Sequence, residues 1–147
     1  MRLLFVICLL LSFKLQAIEV GKKIDSMTLP VWKSDETFKL DEALKKKKVV
    51  INFWASWCTA CINELAELEE LKAKNSDKYE FIAVNAGERK VKIKKFFKKH
   101  KFTYKILVDK NKAFSKSLGV EELPRTLVLD NNGVITFSGT RPPKELK

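Results

Sequence analysis

Hydrophobic and polar positions change period several times along the chain. Residues 27–29 and 37–40 alternate like short strands, with Ser34, Asp35 and Glu36 between them as a turn. A block of four lysines, Lys45 to Lys48, precedes Val49-Val50-Ile51-Asn52-Phe53-Trp54-Ala55. That near-continuous apolar run is rich in β-branched and aromatic residues, as a central strand covered on both faces requires. Over residues 61–75 the period turns helical. Ile62, Leu65, Leu68 and Leu71 recur at three-residue steps, and Glu64, Glu67, Glu69, Glu70, Lys72 and Lys74 take the other faces. Residues 79–85 read as a second buried strand. Residues 91–100 read as a basic helix whose apolar positions are Val91, Ile93, Phe96 and Phe97. A short strand at 105–108 and a short helix at 112–118 follow. Residues 126–129 and 134–137 then flank Asp130-Asn131-Asn132-Gly133, whose Asn-Gly marks a hairpin turn.

Strand, helix, strand, helix and terminal hairpin in this order predict an α/β sandwich. Its central mixed sheet has parallel strands first and an antiparallel pair last, with flanking helices and a short N-terminal hairpin. The stretch Arg141-Pro142-Pro143-Lys144-Glu145-Leu146-Lys147 is too short and too proline-rich for a full terminal helix, so a C-terminal helix is expected to be missing or very short. The 147 residues are 46% apolar and carry 5 Gly and 4 Pro, which excludes disorder and linker-rich architecture and allows one domain, placed at 21–147.

The first residues read differently. Arg2 precedes an uncharged apolar run over residues 3–13, which as a helix spans only about half of a ~30 Å hydrocarbon core. Residues 1–17 are therefore expected to be a signal peptide cleaved after Ala17, with an uncleaved anchor as the alternative. Cys8 lies in this run and would leave with it. Cys58 and Cys61 would then be the only cysteines, working in the periplasm, where a dithiol is oxidised unless something keeps it reduced.

Trp57-Cys58-Thr59-Ala60-Cys61 sits where the central strand gives way to a helix. Two intervening residues in helical geometry bring the sulfurs within bonding reach. At a helix N-terminus Cys58 meets unpaired backbone N–H groups and the positive end of the dipole, which favour thiolate over thiol. Cys61, one turn further in, is expected to be more buried. Cys58 is thus the expected nucleophile and Cys61 the resolving thiol. Structural zinc needs about four ligands, and only His100, on another predicted helix, could join the pair. Haem attachment needs His after the second cysteine, where Ile62 stands. No metal and no cofactor other than the Cys58–Cys61 couple is expected.

The run from Val50 to Cys61, Glu64, the stretch from Val84 to Glu88, and Gly119-Val120-Glu121-Glu122-Leu123-Pro124-Arg125-Thr126 through Asp130 with Gly133 together resemble the thioredoxin-like superfamily. Within it the chain resembles specifically the exported TlpA/ResA-type thiol-disulfide oxidoreductases, over residues 21–139. The resemblance implies that Pro124 is the cis-proline facing the dithiol, with the Leu123 backbone nearest the sulfurs and pairing with an extended substrate segment. Trp57, Thr59 and Ala60 would be the other substrate-facing residues, and Trp54 would be core. Asn52 falls where cytoplasmic thioredoxins carry a buried aspartate, and it cannot exchange a proton. Glu64 matches an acidic residue beside the dithiol, able to accept the Cys61 proton or to raise the thiol values by repulsion; otherwise it is a solvated residue of the helix's first turns. Ala60 replaces a common proline, so the potential is not inherited. Ala66 replaces a proline that often bends the first helix, so that helix is expected to run straight.

The formal charge of +11 resides largely in Lys45 to Lys48 and in Arg89 to Lys101. For an exported protein it argues against nucleic acid; weak attraction to anionic membrane is the alternative to a solvated face. His100 is expected at the surface near a helix C-terminus. The leading reading is a periplasmic reductase of protein disulfides, kept reduced by a membrane electron-donor protein, its substrates extending to the haem-attachment cysteines of apocytochrome c. The second is an oxidant or isomerase of exported proteins. The third is a non-catalytic basic module that binds membrane or a partner, its Cys58–Cys61 bond merely structural.

Overall fold

A computed structural model describes residues 18–147. The expected signal segment 1–17, with Cys8, lies outside the described residues. None of the described helices is long and apolar enough to cross a membrane.

The chain runs β1 (Thr28–Pro30), β2 (Thr37–Lys39), α1 (Leu40–Leu44), β3 (Lys48–Trp54), α2 (Thr59–Asn63), α3 (Leu65–Asn75), β4 (Tyr79–Ala86), α4 (Lys90–Phe96), β5 (Lys105–Asp109), α5 (Ala113–Ser117), β6 (Arg125–Leu129) and β7 (Ile135–Gly139). Five strands form one sheet in the order β5-β4-β3-β6-β7. β3, β4 and β5 are parallel, whereas β6 runs antiparallel to β3 and β7 antiparallel to β6. The expected mixed sheet, N-terminal hairpin and terminal hairpin are all present.

β3 shows why its sequence had to be central. Val49, Ile51 and Phe53 enter the core on one sheet face with Ile82, Val84, Leu107 and Leu127. Val50 and Trp54 enter the other with Leu68, Phe81, Ile93 and Phe96. Period-two alternation sends successive side chains to opposite faces, so a strand covered on both must be apolar throughout. The sheet edges are covered as well. The β1–β2 hairpin reaches β5 through a Val31–Leu107 bridge and a Trp32 N–H to Ile106 O bond of 2.9 Å. Residues 21–24 line β7, where Ile135 N–H donates to Lys22 O at 2.9 Å. The β6–β7 turn is closed by Gly133 N–H to Asp130 O at 3.0 Å, with Asp130 Oδ1 also accepting from Asn132 and Val134 N–H. Gly133 takes φ +79°, and a Cβ there would stand 2.8 Å from Ile24 O.

Two local expectations change. The helix expected straight over 61–75 is two helices, broken at Glu64 (φ −86°, ψ −11°). Three-residue steps fall about 60° behind a 3.6-residue turn each time, so one straight helix cannot present Ile62, Leu65, Leu68 and Leu71 to one core. Leu68 and Leu71 are buried, while Ile62 and Leu65 are half-buried. Helix α4 ends at Phe96, three residues after Ile93, and those two are its buried residues. Val91 lies about 200° around the axis from Ile93 and is exposed instead. The short helix expected at 112–118 is present as α5, and it is preceded by a 3₁₀ turn over Lys110–Lys112 in which Asn111 and Lys112 take φ of 62° and 57°. Among the described residues no helix follows β7. Residues 140–147 cross one sheet face instead, with Leu146 against the second core and Lys48 Nζ donating to Lys147 O at 2.9 Å.

Candidate active site

Strand β3 delivers Ala55 and the Ser56–Trp57 loop to the C-terminal edge of the parallel strands, the usual place for chemistry in such sheets. Cys58 N–H donates to Ala55 O at 3.1 Å, which turns the chain into α2. Cys58 is the N-cap of that helix in extended conformation (φ −86°, ψ 98°), and its sulfur accepts the backbone N–H of Cys61 at 3.1 Å. A sulfur replaces the usual capping oxygen. Cys58 and Cys61 form a disulfide with an S–S distance of 2.08 Å and Cα atoms 5.3 Å apart. The expected contrast in burial is not seen in this oxidised state, where the two are 5% and 4% exposed. Once bonded, both sulfurs sit in one layer above the second core. What distinguishes them is the N–H donor, which points at Cys58.

The loop before the dithiol is held by Glu88, from the turn after β4. Its carboxylate accepts from Ser56 N–H (2.7 Å), Ser56 Oγ (2.5 Å) and Asn85 Nδ2 (2.8 Å), while its own N–H donates to Asn85 Oδ1 at 3.1 Å. Charged hydrogen bonds of this kind fix a loop more firmly than neutral ones. Glu88 belongs to the stretch that carried the family resemblance, yet its role was not legible there. Its partner Ser56 is 32 residues away and comes near only when β3 pairs with β4.

Glu64 is not the solvated residue of a first turn. It is 5% exposed, and its Oε2 has no hydrogen-bond partner. Burial pushes its carboxyl up to about 7, with repulsion from Glu67 adding to the rise and Arg141 opposing it. A sequence signal existed. Cys61, Glu64, Leu68 and Leu71 follow a 3-4-3 spacing, the inward stripe of a helix, and all four are buried. Tyr104 is buried too, its hydroxyl unpartnered and its phenol pushed up first by burial and then by Glu69 and Glu64.

Pro124 follows a cis Leu123–Pro124 bond. It lines a cavity of about 480 Å³ with Ala60, Asn63, Glu64, Thr140 and Arg141, so the loop before β6 does face the start of α2. Leu123 is half-buried between the two cores. Thr59 and Ala60 are exposed on the first turn of α2. Trp57 is 67% exposed beside the disulfide, whereas Trp54 is buried, its ring centroid 4.7 Å from that of Phe96. Asn52 Nδ2 donates to Thr126 Oγ1 at 3.2 Å, a neutral pair beneath the site. His100 stands just past α4, its ring 4.7 Å from that of Phe96.

Residues 19–147 match the Redoxin family. The chain belongs to that family. It is 34% identical over 141 residues to the thioredoxin-like protein YneN of Bacillus subtilis, covering 92% of this chain and 81% of that protein. It is 33% identical over 104 residues to the thiol-disulfide oxidoreductase ResA of Geobacillus thermodenitrificans, covering 69% and 60%. Among solved structures, the thioredoxin domain of a thiol-disulfide oxidoreductase from Bacteroides vulgatus superposes with TM-score 0.76 at 20% identity, over 86% of this chain and 91% of that one. The thioredoxin-like fold and the ResA-type likeness thus hold. This Redoxin-family chain is a thiol-disulfide oxidoreductase with Cys58 and Cys61 as its paired thiols.

Proposed function

We propose that the protein is a reductase of protein disulfides, with Cys58 as nucleophile and Cys61 as resolving thiol. The Cys61 N–H aimed at Cys58 Sγ supports this order most directly, because a backbone donor at the helix N-terminus stabilises a thiolate on Cys58 and, among the described residues, none is aimed at Cys61 Sγ. In the reduced protein, Cys58 thiolate attacks one sulfur of a substrate disulfide, forms the mixed disulfide and expels the other sulfur as thiolate. Cys61 passes its proton to the Glu64 carboxylate and attacks Cys58 Sγ. The Cys58–Cys61 bond closes, and the second substrate sulfur leaves as thiolate. Two electrons move from protein to substrate. Glu64 suits this role because its value of about 7 lies between those of ordinary carboxyls and ordinary thiols. Leu123 and Pro124, with Trp57, Thr59 and Ala60, form the surface where the substrate segment lies.

The protein works in the periplasm, exported by residues 1–17. A membrane dithiol protein restores its electrons, and its substrates include the haem-attachment cysteines of apocytochrome c. A Cys61→Ala variant is expected to accumulate substrate bound through Cys58, recovered on non-reducing gels from intact cells; no adduct would overturn the mechanism. Alkylation trapping in intact cells gives the direction of electron flow. Mostly free Cys58 and Cys61 thiols are expected, and a fully oxidised pair would assign the protein to oxidation or isomerisation.

A further inference from the structure

Separate from the cavity that Pro124 lines, Trp57 borders one of about 300 Å³ lined also by α4 and the turn after it. Lys92, Lys95, Lys99 and His100 line it, with Phe96 and Ser56 completing the surface. Lys92 and Lys95, three apart, share one face of α4, and Lys99, in the turn after it, lines the same cavity. Among the described residues the ion pairs are Lys23–Asp25, Lys39–Glu42, Lys74–Glu70, Lys105–Glu80 and Arg141–Glu67, and none involves this face. Glu88, the carboxylate that holds Ser56 at its edge, has both oxygens engaged by Ser56 and Asn85. Positive charge here therefore stands unneutralised beside an exposed tryptophan and the reactive pair.

We propose that this cavity is a specificity subsite for an acidic segment of the substrate polypeptide, adjoining its target cysteine. The inference rests on the disulfide-exchange reading of the site. Three lysines around one cavity complement a run of aspartates and glutamates, and Trp57 supplies the flat apolar contact on which interface energy concentrates. The cavity is concave and adjoins the residue next to Cys58 in the chain. A carboxylate side chain enters such a recess, whereas a bilayer surface does not follow it inward.

The test uses the full chain and three matched peptides, each with one cysteine capped as a thiopyridyl disulfide. Glutamates, glutamines or lysines flank that cysteine. Reduced protein reacts with each, and release of thiopyridone gives the rate. At roughly 0.02 M salt the glutamate peptide should react about tenfold faster than the glutamine peptide, and the ratio should approach one at roughly 0.5 M salt. A Lys92→Gln/Lys95→Gln/Lys99→Gln variant should lose the ratio. Lys45→Gln/Lys46→Gln, at the opposite end of β3, should keep it. Equal rates in the wild type, or a ratio that survives the triple variant, would overturn the subsite. Should no peptide exchange at all, the redox reading fails by itself. The subsite is then judged by titrating tryptophan emission of the oxidised protein with cysteine-free glutamate and glutamine peptides: lysine-dependent preference for glutamate sustains it, and none refutes it. Sedimentation with vesicles one-third phosphatidylglycerol, if lysine-dependent while no peptide preference exists, would assign the face to a membrane and refute the proposal.

Discussion

Glu64 offers a quantitative test of the buried site. Its carboxyl stands at about 7 against an ordinary value of 4.5. Below pH 4.5 it is protonated whether the chain is folded or unfolded, so it costs nothing. Between those values the folded state holds a proton that the unfolded state has released, and stability falls as pH rises. Above about 7 both states are ionised and the full penalty is present. A gap of about 2.5 units at ~1.4 kcal/mol each gives roughly 3.4 kcal/mol, which solvent screening at a carboxyl that lines an open cavity reduces to about 2 kcal/mol. The measurement is urea unfolding of oxidised wild type and Glu64→Gln from pH 4.5 to 8.5. Oxidation keeps both thiols from titrating, and taking the difference between the two proteins cancels every other ionisable group to first order. Glutamine resembles the protonated acid, so the two should be nearly equal in stability at pH 4.5. At pH 8 the variant should be more stable by about 2 kcal/mol, with the change centred between 5 and 7. A difference that does not vary with pH would refute the argument that burial dominates at Glu64. A difference of opposite slope would mean that Arg141 outweighs burial and Glu67 together.

Three further outcomes follow from the same geometry. Glu88→Ala removes the carboxylate bonds to Ser56 and Asn85 and should cost about 2 kcal/mol in urea unfolding while slowing disulfide exchange, since the loop ahead of Cys58 loses its anchor. Gly133→Ala must hold φ near +79° and place a methyl 2.8 Å from Ile24 O, so a loss of about 1–2 kcal/mol is expected, and an unchanged unfolding midpoint would refute it. Leu68→Ala opens a cavity in the second core beneath the dithiol helix and should cost about 3 kcal/mol by the same assay.

The strands and the dithiol were legible because their signals are local. β3 announces itself by seven consecutive residues suited to burial on both faces, and the Asp130 to Gly133 turn by side chains that bond their own backbone. Expectations slipped where a helix met a core that sequence does not display. The three-residue steps from Ile62 to Leu71 looked like a face, although geometry lets only part of them face inward. Val91 is one of the apolar positions of its helix in sequence and is exposed in the fold for the same reason. For Glu64 the family resemblance implies a carboxylate beside the dithiol and charge alone implies a solvated one; its burial, and its spacing from Cys61 and Leu68, agree with the first.

Local chemistry in the sequence determined which strands are central, where the reactive pair sits, and which cysteine caps the helix, because each depends on residues within a few positions of one another. Tertiary structure alone decided what surrounds that pair. Glu88 reaches Ser56 through β3–β4 pairing, and Pro124 reaches the start of α2 through β3–β6 pairing. The lysines of α4 and of the turn after it come beside Trp57 in the same way, across more than 30 residues of chain. Such contacts are set by sheet order and register, which arise from the simultaneous burial of many side chains and which no short stretch of sequence carries.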